Sequence, residues 1–112
     1  MRIVDRKTFL ELPEYTCYCK FVPNATGTFQ IKGESIEDID WFYFDPNWVD
    51  AYDSAEAIDR LEEMVKDPNA SYPMESAWSR DGLYDKDQLF LVFERSDVIN
   101  LMNIMERGVS GR

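Results

Sequence analysis

With 112 residues, 45% apolar and 14% aromatic, the chain has the length and material for one folded domain with its own core. A net charge of −10 argues against direct nucleic-acid contact, and no apolar run approaches the roughly 20 residues of a membrane span. Two cysteines and no histidine leave no Cys-His or Ser-His-Asp arrangement and no closed zinc site.

Met1 to Lys7 turns to charge at once and lacks a signal-peptide apolar region, so a soluble, cytoplasmic protein is expected. Asp5 is placed to cap a short helix through about Leu12, which Pro13 ends. From Tyr15 the period becomes two. Tyr15, Cys17, Cys19 and Phe21 alternate with Thr16, Tyr18 and Lys20, the pattern of a half-buried strand. Cys17 and Cys19 then share one face as small buried apolar residues. Pro23 to Gly27 reads as a five-residue turn, and Thr28 to Lys32 as the returning strand of a hairpin.

Trp41 to Phe44 predicts a short strand that Asp45-Pro46-Asn47 stops. Ser54 precedes an amphipathic helix over 55–66, with Ala57, Ile58, Leu61, Met64 and Val65 on its apolar side and Pro68 at its close. Its other face carries Glu56, Asp59, Glu62 and Glu63. Met74 to Ser79 reads as a further strand ending at the Arg80-Asp81-Gly82 turn. The unbroken apolar Leu89 to Phe93 suits a strand covered on both faces. A last helix runs from Ser96 to about Arg107, with Gly108 as its stop. This order predicts a single α+β domain over 1–112: a mainly antiparallel sheet of about four to five strands packed with two or three helices.

The last helix is apolar at Val98, Ile99, Leu101, Met102, Ile104 and Met105, a wider stripe than a surface helix needs. Burial between the sheet and another element is the expectation. A symmetric homodimer through Val98, Met102 and Met105 is the alternative.

All of the net charge lies in one stretch. Residues 34–63 hold eleven acids and a single base, Arg60, whereas acids and bases balance elsewhere. Trp41, Phe42, Tyr43, Phe44, Trp48 and Tyr52 share that stretch. Acids beside large aromatics suit a basic protein surface. The residues expected to bind are Glu37, Asp38, Asp50, Asp53, Glu56, Asp59, Glu62 and Glu63 for charge, with Trp48 and Tyr52 as apolar anchors. Trp41 to Phe44 reads as core, or, in the alternative, as the stacking wall of a small-ligand site.

Catalytic chemistry finds no support: the five glycines form no phosphate loop, and no cofactor or metal is expected. Placing Gly82 sixth in a calcium loop puts Ala77 and Gln88 where carboxylates are required. Asp81, Asp85 and Asp87 are therefore read as turn formers.

Three segments carry a resemblance: Ile3 to Leu10, the Ile31-Lys32-Gly33-Glu34 step, and Arg80-Asp81-Gly82-Leu83-Tyr84-Asp85 leading into Asp87-Gln88-Leu89-Phe90. Together they resemble small uncharacterised proteins of tailed bacteriophages and prophages. The resemblance implies a phage accessory protein of the bacterial cytoplasm and brings no catalytic residue with it. The combined expectation is a non-enzymatic protein that binds a basic host or phage protein, in its sharpest form as a DNA mimic. Small-ligand binding and self-assembly are the alternatives.

Overall fold

The computed structural model describes residues 1–82 and 84–111; Leu83, within the Arg80–Asp85 motif, lies outside them. One antiparallel sheet carries three helices, an α+β architecture. Its six strands are β1 (Arg2–Val4), β2 (Cys17–Val22), β3 (Ala25–Ile36), β4 (Asp40–Phe44), β5 (Ser79–Asp81) and β6 (Leu89–Val92). The spatial order is β1-β6-β2-β3-β4-β5. The helices are α1 (Arg6–Glu11), α2 (Ser54–Lys66) and α3 (Arg95–Ser110). The strand beyond expectation is β1, whose three residues are too few to show a period and which pairs with β6 from Arg2↔Val92 to Val4↔Phe90.

The core forms where α1 crosses the sheet. Phe9 is fully buried, its ring stacked on Phe90 at 3.9 Å and meeting Tyr18 and Trp41 edge-on at 4.6 and 5.1 Å. A six-residue helix is unstable alone, so this anchor and the Asp5 cap, which accepts the Thr8 N–H at 2.8 Å, hold α1 in place. The Trp41 indole N–H donates to the Tyr18 hydroxyl at 2.9 Å, and that hydroxyl donates to Gln30 Oε1 at 2.7 Å. The Trp41 N–H and the Tyr18 hydroxyl are thereby paired, and burial pushes the Tyr18 phenol far above its ordinary range. Cys17 and Cys19 are buried free thiols on β2, but Tyr18 between them is fully buried in the core and Tyr15 is exposed, so the strand is covered on both faces here rather than half-buried as the alternation predicts.

Several boundaries depart from expectation. The β2–β3 turn is two residues, Pro23-Asn24, rather than five: Asn24 adopts φ 67°, a conformation asparagine tolerates, and closes the hairpin early. Asp53, not Ser54, caps α2 by accepting the Glu56 N–H at 2.8 Å. The strand expected at Met74–Ser79 is displaced. Met74 makes an isolated bridge to Val49, and the paired strand begins at Ser79.

The largest correction concerns α3. It contains no buried residue, and from Met102 to Gly111 every residue is exposed, so it is not sandwiched within the fold. It also runs through Gly108 to Ser110, because glycine weakens a helix without ending it. The radius of gyration, 16.4 Å, exceeds the roughly 13 Å of a compact chain of this length. No helix among the described residues is long and apolar enough to cross a membrane.

Candidate functional site

The acidic stretch is divided by β4. Glu37 and Asp38 occupy the β3–β4 turn at one end, with Glu37 at φ 54°. Trp48 to Glu63 lie beyond Phe44 at the other end, and β4 alone separates the groups by about 13 Å. The sequence-expected residues therefore form two clusters, not one surface. Asp38 borders Arg6, Lys7, Lys86 and the exposed Tyr84 beside α1, so its surroundings are basic, whereas the second cluster carries Trp48 and Tyr52 among acids.

That second cluster is built on an excursion from the sheet. Residues 48–50 and 73–75 pair across its base: Glu75 N–H donates to the Trp48 carbonyl at 2.9 Å, and Asp50 N–H to the Pro73 carbonyl at 2.8 Å. Arg60 fastens α2 to this base, donating to the Asp50 carbonyl at 2.6 Å while its guanidinium sits 4.6 Å from the Tyr72 ring centre. The Tyr72 hydroxyl donates to Glu63, and that carboxylate raises the phenol above its usual value.

The expected acids are thus sorted by their partners. Glu56 pairs with Arg60 at 2.8 Å, Glu63 accepts from Tyr72, and Asp53 is the helix cap. The side chains of Asp50, Asp59 and Glu62, like those of Glu37 and Asp38, have no hydrogen bond or ion pair among the described residues. Trp48 is 50% exposed and Tyr52 91%.

The apolar side of α2 is also uncovered. Of its five expected core positions only Ala57 is buried; Leu61 and Met64 are half-buried, and Ile58 and Val65 are exposed. The periodicity located the helix correctly, but α2 lies on the excursion between β4 and β5, and its apolar side is left largely uncovered. An amphipathic helix in this state offers a partner an apolar ridge with carboxylates beside it.

The aromatic run separates by strand alternation. Trp41 is fully buried beneath α1 and cannot serve as a stacking wall, which removes it from the ligand-site alternative. Phe42 emerges on the opposite face. There it borders an apolar recess with Tyr15, Gly33 and Trp78, rimmed by Glu14 and Glu34. Of these, only Phe42 was expected at a ligand site, as part of the Trp41 to Phe44 wall. The available signal was Gly33, since glycine within a strand often marks a close approach by another group.

The three aspartates of the 80s loop do not converge on a cation. Asp85 accepts the Asp87 N–H at 3.0 Å in a local turn, and Asp81 pairs with Lys20 at 2.6 Å. No cluster of potential metal ligands occurs among the described residues. No protein-family model, curated protein or solved structure shows significant similarity to this chain.

Proposed function

We propose that this is a non-enzymatic binding protein that holds a basic polypeptide through residues 48–63, acting in the bacterial cytoplasm as the phage resemblance implies. The observation that carries this reading is the exposure of Trp48 and Tyr52 in the same segment as the exposed, unpaired carboxylates of Asp50, Asp59 and Glu62. Exposed aromatics supply desolvated anchors, and unpaired acids supply charge complementarity and a faster encounter. Ile58 and Val65 extend the apolar ridge along α2. The DNA-mimic form draws less support, because Arg60 and Tyr72 engage Glu56 and Glu63 and interrupt the row of carboxylates.

The test is an NMR titration with a short arginine-rich peptide. Expected are shifts of the Trp48 indole, Tyr52 and the α2 amides, diminishing as salt rises. Shifts confined to Glu37 and Asp38, or spread evenly over all acids, would contradict the reading.

A second reading, self-association, is favoured by one observation. The outer half of α3 presents Met102, Ile104, Met105 and Val109 to solvent, and the helix has no net charge to oppose pairing. Two unsupported helical turns are marginal in water, and a second copy of the helix would stabilise them. Light scattering separates monomer from dimer directly.

A further inference from the structure

The apolar recess on the sheet face opposite α1 has the construction of a cation site. Tyr15, Phe42 and Trp78 form its walls, Gly33 its floor, and Glu14 and Glu34 its rim, around about 290 Å³. Tyr15 meets Trp78 at 80° with ring centres 6.1 Å apart, and Phe44 supports Trp78 at 5.7 Å.

Three separate features maintain it. A Cβ at position 33 would lie 3.1 Å from both Phe42 Cβ and Trp78 Cε3, so glycine is what lets Trp78 seat this closely, and a side chain there would push the ring outward. Tyr15 adopts φ 70°, a conformation bulky L-residues avoid and one that recurs at binding sites. Two backbone bonds hold it there, Tyr15 N–H to the Lys32 carbonyl at 2.7 Å and Lys32 N–H to the Thr16 carbonyl at 2.8 Å. Glu14 and Glu34 are exposed and make no hydrogen bond or ion pair among the described residues, although Glu14 lies within the field of the buried Lys32 ammonium.

Aromatic faces present negative potential, and two carboxylates at the rim add to it. An anion is repelled there, and an uncharged apolar guest gains nothing from the acids. We propose that this recess binds an organic cation: a quaternary ammonium head group, or the charged end of a basic side chain. The inference stands apart from the 48–63 surface, since the two share no residue.

The probes are choline, its uncharged carbon isostere dimethylbutanol, and arginine amide, each titrated while the Trp78 indole and Tyr15 NMR signals are followed. Choline is expected to shift both saturably, with the isostere roughly tenfold weaker or worse. Glu14→Gln with Glu34→Gln should weaken binding roughly three- to tenfold, and Trp78→Ala should abolish it. Tighter binding of choline than of arginine amide supports a free ammonium ligand; the reverse supports a partner's side chain. Equal binding of choline and its isostere, no shift with any cation, or an unchanged choline response in the Glu14→Gln, Glu34→Gln double variant would overturn the proposal. That double variant alters exposed rim positions alone, so its fold is expected to match the parent by circular dichroism.

Discussion

Replacing Lys32 with methionine should stabilise the protein. The residue is 1% exposed, and its ammonium has a single hydrogen bond, to the Gly33 carbonyl at 3.1 Å, with the Phe9 ring 5.8 Å away. No carboxylate lies within ion-pairing distance among the described residues. Removing an ammonium from water costs several kcal/mol. The charged hydrogen bond returns about 1.5–3 kcal/mol and the aromatic contact about 0.5–2 kcal/mol. The remainder leaves Lys32→Met more stable by about 1–3 kcal/mol, since methionine keeps the length of the side chain and removes the charge.

The same burial lowers the Lys32 pKa below its ordinary 10.5. Between the lowered value and 10.5 the unfolded chain binds more protons than the folded one, so the wild type gains stability as pH rises through that window. The difference between variant and wild type should therefore narrow between pH 7 and pH 10.5, the ordinary lysine value. Ionisation of Tyr18, Cys17 and Cys19 opposes stability at the upper end but is common to both proteins and cancels in the difference. Urea unfolding followed by tryptophan fluorescence at both pH values measures it. A variant less stable than wild type by more than about 1 kcal/mol, or a difference indifferent to pH, would refute the reasoning.

Three further outcomes follow from the same structure. Phe9→Ala removes the ring that joins α1 to Tyr18, Trp41 and Phe90, and should cost about 3–5 kcal/mol in denaturant unfolding. Asp53→Ala removes the α2 cap and should cost about 1 kcal/mol, seen first as faster amide exchange in the first turn of α2. The pair Met102→Glu and Met105→Glu should leave the monomer's melting temperature nearly unchanged, because these residues are 62% and 60% exposed. In a protein associated through α3, the same pair would convert dimer to monomer by light scattering.

Local signals in the sequence carried much of the fold. The Asp5 cap, the strand around Cys17 and Cys19 and the apolar run of β6 depend on neighbours a few residues away, and each element appears within a residue or two of its expected place, though the face of β2 that meets the core is the one carrying Tyr18. Periodicity does not record which surface an apolar stripe meets. The stripe of α2 was legible, yet its exposure depends on where the excursion between β4 and β5 places the helix, a matter of distant segments. The same holds for α3, whose apolar width suggested burial although, among the described residues, Val98 and Leu101 are only half-buried and Met102 onward is exposed.

Candidate-site residues were legible where exposure followed from local context. Trp48 and Tyr52 sit outside any periodic element and are exposed. The separation of Glu37 and Asp38 from the α2 acids depends on the direction of β4, and the hydrogen bond that engages Glu63 comes from a tyrosine nine residues away. The Tyr15–Gly33–Trp78 recess joins three segments that only the sheet brings together.

The most direct test of the proposed binding surface is a parallel affinity capture from bacterial lysate with wild type and the Trp48→Ala, Tyr52→Ala double variant, at low and high salt. Both substitutions remove exposed rings, so the fold should persist, with matching circular dichroism spectra as the check. Expected is a basic protein retained by wild type at low salt, released at high salt and missed by the variant. The same proteins on both baits, or none on either, would contradict the claim that residues 48–63 hold a partner.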